Sequence, residues 1–342
     1  MDNKQKTLKD IASELGLSHT TVSRALNDHP RISPETRALV RSTSDRLGYV
    51  VNSSARRLRG HPSALIGLIV PEIRNPVFSE IARIVSEHLS GTHYQLVLAV
   101  TGDDPEREER SLRALAEAQA TGVLPVLSPM PTLGTIRLLH RLRTTMLIRQ
   151  HRAVAADYVG LDEQQAIACA VEHLTELGHR EIGFVGIHTL TSTGTNRLHG
   201  FMDACARASL ATDTRQVLLG PSTDNFGRQA MGALFEGPVK PPTAVVIGGA
   251  QQALGCMQWL QEHNLRTPEH LSVVTFGDPP WMNLIHGGLT AVRLPVPEIA
   301  QAAARLVLQH AETTAMPRAR TIEERFPSTL VKRCSSGPPR KR

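Results

Sequence analysis

The residues best suited to chemistry near the N-terminus are hydrogen-bond donors grouped within two helical turns. They combine an imidazole, three hydroxyls and a guanidinium: His19, Thr20, Thr21, Ser23 and Arg24. Such side chains hydrogen-bond to base edges and phosphates. Val22, Ala25 and Leu26 lie between them at helical spacing, and an apolar face of this kind would turn the donors outward. The pattern predicts a helix that reads nucleic acid.

Motifs for catalysis and metal binding are absent from the sequence. It contains no GxxxxGK phosphate loop, no GxSxG nucleophile elbow, no HExxH and no GxGxxG fingerprint. The four cysteines include no CxxC pair, and no two histidines at i and i+4 stand near a third ligand. We therefore expect a protein that is not an enzyme and needs no cofactor or metal ion.

Two short helices joined by a glycine turn would position the donors. The first helix has an apolar face made of Leu8, Ile11, Ala12 and Leu15. Gly16 ends this helix, and Ser18 is a good N-cap for the next one. A third helix opens at Ser33 and stops at Gly48. Three helices in this order predict a helix-turn-helix module.

Charge supports a polyanionic partner for this end of the chain. The 342 residues carry a net charge of +6, with 41% hydrophobic and 20% charged residues, which is ordinary for a globular protein of two or three domains. Eleven Lys and Arg against six Asp and Glu fall within residues 1–60, so nearly all the excess lies there. Charge alone also fits a solvated basic surface. The helix pattern favours DNA.

Four stretches resemble the lactose-repressor (LacI/GalR) family of bacterial transcription regulators. They are TLKDIASELGLSHTTVSRALN (7–27), ISPETR (32–37), LGYVVN (47–52) and SSARRLRG (53–60), and the similarity continues to about residue 335. The resemblance implies a recognition helix in the major groove, with His19, Thr20 and Arg24 reading bases. It also implies paired hinge helices in the minor groove, where Leu58 would wedge open a base step. Contacts to the DNA backbone or within the hinge would come from Thr7, Ser18, Thr21, Ser23, Asn27, Ser33, Tyr49, Asn52 and Ala55.

Beyond residue 62, short apolar runs alternate with helical stretches. The runs at 64–70, 94–100, 122–127, 181–187, 243–248 and 271–276 read as buried strands. Strand–helix alternation predicts α/β architecture with doubly wound parallel sheets. The family resemblance implies two lobes of periplasmic-binding-protein type, with crossings near residues 159, 290 and 320.

The expected organisation is therefore an all-α three-helix headpiece (1–50), a hinge helix (51–61) and a two-lobed effector-binding and dimerisation body (62–335). Its N-lobe would comprise 62–159 and 291–319, and its C-lobe 160–290 and 320–335. Residues 336–342 are polar, basic and broken by proline, which predicts a disordered tail.

Effectors of such folds bind where strand ends face the cleft between lobes. Phe78 follows the first strand, and Arg197 lies in a segment similar to the family's Arg-Leu-x-Gly-Phe/Trp, which implies a ligand-clamping arginine. Gly277 and Asp278 follow the run at 271–276, and Arg149 follows the apolar segment TTMLI. These five residues are the predicted effector contacts.

Three departures from the family pattern change the expected charge of the cleft. Gly249 and Ala250 stand where the family usually has Asn and Asp, Gly277 replaces an Asp, and Arg149 replaces another. Loss of carboxylates and gain of an arginine suggest an anionic effector, such as a sugar acid or sugar phosphate, held by Arg197 and Arg149. The alternative is a pocket that has lost its ligand.

We predict a homodimeric repressor of a carbohydrate or metabolite operon that binds a pseudo-palindromic operator. The C-terminal residues carry no leucine heptad, so a dimer is expected rather than a tetramer. The alternative is a global regulator controlled by a protein partner, with a vestigial pocket. A binding protein for solute uptake is disfavoured by the headpiece. The N-terminus has no apolar signal core and no apolar run reaches 18 residues, so we expect a cytoplasmic, nucleoid-associated protein without membrane contact.

Overall fold

The computed structural model describes residues 6–26, 29–49, 63–211, 213–285, 287–312 and 321–340. The chain divides into two compact units, residues 1–61 and 62–342, which we name the headpiece and the body. The predicted hinge helix, residues 51–61, lies outside the described residues.

The helices, in chain order, are α1 (Leu8–Leu15), α2 (His19–Leu26), α3 (Pro34–Arg46), α4 (Pro76–Leu89), α5 (Pro105–Glu117), α6 (Leu133–Arg141), α7 (Glu163–Glu176), α8 (Ser192–Arg207), α9 (Asp224–Glu236), α10 (Ala250–Glu262) and α11 (Val296–Glu312). The strands are β1 (Leu65–Val70), β2 (Gln95–Val100), β3 (Gly122–Pro125), β4 (Thr145–Leu147), β5 (Asp157–Leu161), β6 (Ile182–Ile187), β7 (Val217–Gly220), β8 (Ala244–Ile247), β9 (Ser272–Phe276), β10 (Thr290–Arg293), β11 (Glu323–Phe326) and β12 (Thr329–Val331). No helix in the described ranges is long and apolar enough to cross a membrane.

The headpiece consists of α1, α2 and α3 around a small apolar core. Gly16 ends α1 with a φ of +61°, a left-handed conformation that glycine adopts without strain. Ser33 caps α3, because its Oγ accepts a hydrogen bond from the Thr36 amide at 3.2 Å. The core is formed by Ile11, Ala12, Val22, Ala25 and Val40.

The body contains two lobes built on parallel sheets. The N-lobe has the strand orders β2-β1-β3 and β11-β5-β4, with all pairs parallel. A parallel bridge between Val123 and Thr144 connects these two sheets. The C-lobe has one six-stranded sheet of order β12-β10-β9-β8-β6-β7, in which only β12 is antiparallel. The predicted doubly wound α/β architecture is confirmed.

The three crossings between the lobes lie later in the chain than predicted. β5 continues to Leu161, β10 pairs with β9 in the C-lobe, and β11 pairs with β5 in the N-lobe. The crossings therefore follow β5, β10 and β11. The predictions near 159 and 290 lie two and three residues before the ends of β5 and β10. The prediction near 320 is wrong, because strand pairing, which joins residues distant in sequence, places β11 in the N-lobe.

The predicted disordered tail is wrong at its first residues. Ser336 Oγ lies 2.9 Å from Nε2 of His173, and the Gly337 carbonyl oxygen lies 2.8 Å from Nε2 of His179. The Gly337 amide also donates to Ser272 Oγ at 3.1 Å. This segment contains few apolar residues, so its order depends on polar contacts with the C-lobe that composition does not reveal.

Candidate DNA-binding surface and effector cleft

Helix α2 presents the predicted base-reading residues on its exposed side. His19, Thr20 and Arg24 are exposed, whereas Val22 and Ala25 are buried in the headpiece core. Packing against α1 and α3 fixes the orientation of α2 through its apolar face. The imidazole, hydroxyl and guanidinium thus lie on one surface, as base recognition in a major groove requires.

Ser23 does not face outward as its position among the donors predicted. It is buried, with 7% of its surface exposed. The residue directly follows the core residue Val22. The covered face of α2 is therefore wider than its apolar residues alone indicate.

Several predicted backbone contacts serve as helix caps. Ser18 Oγ accepts from the Thr21 amide at 3.0 Å and lies 2.8 Å from the Thr21 hydroxyl. The amide and the hydroxyl of Thr7 donate to Asp10 Oδ2 at 2.7 and 2.9 Å. Tyr49 packs against the headpiece core. Four further predicted contacts lie outside the described residues: Asn27, Asn52, Ala55 and Leu58.

Arg197, on α8, forms a buried ion pair instead of presenting a free cation. Its Nε and Nη2 donate to the two carboxylate oxygens of Glu163 at 2.6 and 3.1 Å, and its Nη1 donates to the Gly248 carbonyl at 2.7 Å. The guanidinium carbon lies 3.7 Å from the centre of the Phe276 ring. Arg197 is 8% exposed and Glu163 is 2% exposed. Its positive charge is therefore compensated within the protein.

Arg149 is compensated in the same manner within the N-lobe. Its Nη1 donates to Asp103 Oδ1 at 2.5 Å and to the Leu127 carbonyl at 2.8 Å, and its Nη2 lies 3.3 Å from Asp103 Oδ2. The preceding residue, Ile148, has a left-handed φ of 60°, which is strained for a β-branched side chain. The Tyr158 hydroxyl donates to the Ile148 carbonyl at 3.1 Å and so supports this turn.

Two arginines form ion pairs with Asp278. Arg293 donates to its Oδ2 at 2.8 Å, and Arg333 donates to both oxygens at 2.8 and 2.9 Å. Burial alone would raise the pKa of Asp278, but the hydrogen bonds from Arg333 and Arg293 hold it below its usual range. The neighbouring Gly277 has a φ of +91°, so a side chain here would be strained.

Phe78, in the first turn of α4, lies in the apolar core. It is 7% exposed and belongs to the largest cluster of buried residues in the body. The predicted contact of its ring with an effector would require a surface that packing covers in this structure.

A cavity of about 280 Å³ lies next to the buried ion pair. It is lined by Asp162, Glu163, Gln164, Asn196 and Arg325. Arg325 comes from β11, and its Nη2 donates to Gln150 Oε1 at 2.8 Å. The cavity thus adjoins a crossing between the lobes, where ligands of such folds bind. The residues that line the cavity include Glu163, the ion-pair partner of Arg197, but not Arg149, which is paired with Asp103.

Sequence reasoning missed the two carboxylates that compensate the arginines. Glu163 is 34 residues from Arg197, and Asp103 is 46 residues from Arg149. Glu163 begins α7 with one residue between it and the end of β5, which is the one local signal for a residue at the cleft.

Two protein families match the chain, one within each of its two units. "Bacterial regulatory proteins, lacI family" matches residues 7–52, and "Periplasmic binding protein-like domain" matches residues 171–336. The transcriptional regulator MalR of Streptomyces coelicolor is 30% identical over 339 residues, which cover 96% of each chain. The chain belongs to the LacI family.

Solved structures of LacI-family proteins share its fold. The lac repressor dimer bound to operator and the anti-inducer ONPF superposes with a TM-score of 0.82 at 24% identity, covering 98% of this chain and 100% of that one. The complex of the transcriptional regulator CelR with cellobiose has a TM-score of 0.71 at 26% identity, covering 97% and 100%. This LacI-family protein is a DNA-binding transcription regulator, not an enzyme, as its sequence predicts.

Proposed function

We propose that this LacI-family regulator is a repressor that binds a pseudo-palindromic operator as a homodimer and is released by a small molecule. The observation that carries DNA recognition is the exposed row of His19, Thr20 and Arg24 over the buried face of α2. The excess positive charge of residues 1–60 adds attraction to phosphates. Such a protein acts on the nucleoid in the cytoplasm.

An apolar edge of the N-lobe supports dimerisation. β2 is the terminal strand of its sheet, so one of its sides has no partner strand in the described body. Its Leu98 and Val100 are 41% and 47% exposed. Unpaired strand edges with exposed apolar side chains promote association, and a second copy of the chain would cover this one.

Charge compensation favours a neutral, polyhydroxylated effector. Arg197 is paired with Glu163 and Arg149 with Asp103, so an anion would have to displace a carboxylate from each. Hydroxyl groups of a sugar can donate hydrogen bonds to these carboxylates and accept hydrogen bonds from the guanidinium groups. The similar regulator CelR is found with cellobiose, a neutral disaccharide. The sugar acid or sugar phosphate predicted from the sequence remains the second candidate, because Arg149 lies just after β4 and Arg197 lies on α8, the helix that follows β6.

Effector action follows from linkage. A ligand that binds one arrangement of the lobes more tightly than another shifts the equilibrium between the two arrangements. By linkage, a ligand that weakens operator binding must itself bind more weakly to the protein–operator complex than to the free protein. The hinge segment, residues 51–61, and its Leu58 are the proposed connection between the lobes and the minor groove.

The test measures operator affinity during titration with a fixed panel of metabolites. The panel contains neutral mono- and disaccharides, their amino and N-acetylamino forms, and the corresponding sugar acids and phosphates. Release by neutral sugars supports the proposal, and release only by acids or phosphates supports the second candidate. If no compound changes operator affinity or the melting temperature, effector control is wrong and control by a protein partner is favoured.

A further inference from the structure

The positive charge of the body is concentrated in one segment of the N-lobe. Residues 118–156 contain five arginines, two histidines and no aspartate or glutamate. The rest of residues 61–342 has the opposite balance, with 22 Lys and Arg against 26 Asp and Glu. The segment includes β3, α6 and β4, so the excess charge lies on and around a single helix.

Three of these arginines lie on one surface, which we name the arginine patch. Arg137 and Arg141 are exposed and lie one turn apart on α6. Arg152 is exposed in the loop after β4. His140 Nε2 lies 2.8 Å from the carbonyl oxygen of Ala153, and this contact holds the loop beside the last turn of α6. The fold therefore brings Arg152 next to the two arginines of the helix.

The arginine patch lacks the compensating carboxylates that neighbouring helices provide. None of its three arginines forms an ion pair within the described part of the chain. Arg137 also interacts at longer range with Glu109, but that carboxylate is bonded to Arg113. The exposed arginines of α4 and α5, in contrast, each have an acidic partner about one turn away: Arg83, Arg107, Arg110 and Arg113.

The missing partners have a cost that the fold does not explain. Like charges four residues apart on a helix, as in Arg137 and Arg141, weaken that helix. The helix dipole favours a cation in the last turn, which accounts for Arg141 but not for Arg137 or for Arg152 in its loop. Departures from local stability without a structural gain are typical of functional surfaces.

Two large apolar side chains adjoin the patch at the start of α6. Leu133 is 73% exposed and Met130 is 68% exposed. Leu133 precedes Arg137 by one turn, so both lie on the exposed side of the helix. The connection between Met130 and α6 is anchored, because Thr132 Oγ1 donates to Glu109 Oε2 at 2.6 Å. Cationic and apolar side chains thus share one surface that the fold holds in place.

We propose that this face of α6 binds a partner protein through an acidic segment that also carries apolar side chains. Protein interfaces are enriched in Arg and Met and depleted of Lys, Glu and Asp, and the surface has this composition. Carboxylates of the partner supply the charge complementarity that the chain itself does not provide. Leu133 and Met130 favour a protein segment over DNA, because phosphates offer them no apolar contact.

The proposed surface differs from the edge proposed for dimerisation. α6 joins β3 to β4, and β3 lies two strands from β2 in the order β2-β1-β3. The partner is therefore a different molecule from the second copy of the chain. Binding at α6 depends neither on the chemistry of the effector nor on the presence of one.

The test measures binding of a fluorescent synthetic peptide to the full chain by anisotropy. The peptide has about 20 residues, enough to form a helix, with glutamates along one face and leucines beside them. One control peptide has glutamine in place of every glutamate, and a second has serine in place of every leucine. Random duplex DNA is the fourth probe, because a basic surface also attracts phosphates.

Two triple variants are compared with the wild type. The patch variant combines Arg137→Gln, Arg141→Gln and Arg152→Gln. The matched control makes the same change at three exposed arginines of the same lobe that have acidic partners: Arg74, Arg107 and Arg110. Melting curves check that both variants fold, and the melting temperature of the patch variant should not fall, because it loses no ion pair in the described structure.

We expect the patch variant to raise the Kd of the acidic peptide about 3- to 150-fold, as for three exposed ion pairs of roughly 1.4- to 5-fold each. The matched control should leave the Kd within about twofold. Rising salt should weaken binding to the wild type more than to the patch variant. Both control peptides should bind the wild type more weakly than the acidic peptide, and the affinity for random DNA should stay within about twofold in the patch variant.

Four results overturn the inference. No binding of the acidic peptide to the wild type at about 1 mM, or equal binding to the patch variant, removes this face as a site for an acidic segment. Loss of affinity for random DNA in the patch variant, with no effect on the peptide, assigns the arginines to phosphate contacts. A lower melting temperature of the patch variant assigns them to the fold. None of these results affects the metabolite titration, which tests effector control separately.

Discussion

Loss of the buried ion pair between Glu163 and Arg197 should destabilise the C-lobe strongly. Glu163→Gln keeps the shape of the side chain but leaves the Arg197 guanidinium without a compensating charge. Both partners are buried, and the two hydrogen bonds between them are 2.6 and 3.1 Å long. Removal of one partner of a buried pair costs about 3–5 kcal/mol of unfolding free energy. For a body of this size that corresponds to a fall in Tm of about 6–10 °C.

The assay is urea unfolding followed by tryptophan fluorescence. Both tryptophans of the chain, Trp259 and Trp281, lie in the C-lobe that contains the ion pair. Glu262→Gln is the matched control, since it breaks a bidentate pair with Arg228 in the same lobe whose side chains are 40% and 49% exposed. Exposed pairs contribute about 0–1 kcal/mol. Equal destabilisation by the buried and the exposed substitution would refute the reasoning.

A pH series separates the two halves of the pair. In Arg197→Met the remaining Glu163 is buried without its cation, so its pKa in the folded state should rise above the unfolded value of about 4.3. Protonation then relieves the cost, and the deficit relative to the wild type should shrink as the pH falls from 7 to 5. An arginine stays charged over this range, so the deficit of Glu163→Gln should not shrink.

Three further predictions concern the rest of the molecule. Burial lowers the pKa values of His173 and His179, so the unfolded chain takes up protons at a higher pH than the folded chain does, and the stability of the folded state should fall as the pH drops below about 6.5. The fall should be less steep in His173→Gln, and an equal slope in that variant would show that His173 does not cause it. Cys334 is the exposed thiol among the described cysteines, so one thiol should react quickly with a disulfide reagent in the native protein, and Cys334→Ser should abolish that fast phase. Leu98→Glu should convert the dimer to monomers in analytical ultracentrifugation without lowering the monomer's helix content; an intact dimer would exclude the β2 edge.

The headpiece was predictable because its signals are local. Gly16, Ser18 and Ser33 mark helix ends within a few residues of the apolar faces that they terminate or begin, and the structure places α1, α2 and α3 accordingly. The burial of Ser23 was not predictable in this way, because burial depends on how closely two other helices approach α2.

The body's strands were predictable where they are buried on both faces. β1, β6 and β8 are continuous apolar runs, as parallel strands between helices usually are. β11 (Glu323–Phe326) has three charged residues among its four, and only two residues separate it from β12, which belongs to the other lobe. Nothing in the local pattern assigns neighbouring strands to different sheets, so the last crossing was misplaced.

The charge of the cleft could not be deduced from the arginines alone. Arg197 and Arg149 each have a compensating carboxylate that is distant in sequence, and only the fold brings the pairs together. A sequence shows which charges are present, whereas the field at a site depends on which of them are adjacent.

The measurement that tests the account most directly is protection mapping of the purified protein on fragments of its own genome, repeated with Arg24→Ala. We expect the wild type to protect pseudo-palindromic sites, and Arg24→Ala to lose about 1–3 kcal/mol of affinity for them while binding random DNA nearly as before. Arg31→Ala, which removes an exposed arginine outside α2, is the control and should retain the same sites. Protection of the same sites at unchanged affinity by Arg24→Ala, or no specific protection with or without metabolites, would contradict recognition of an operator by α2.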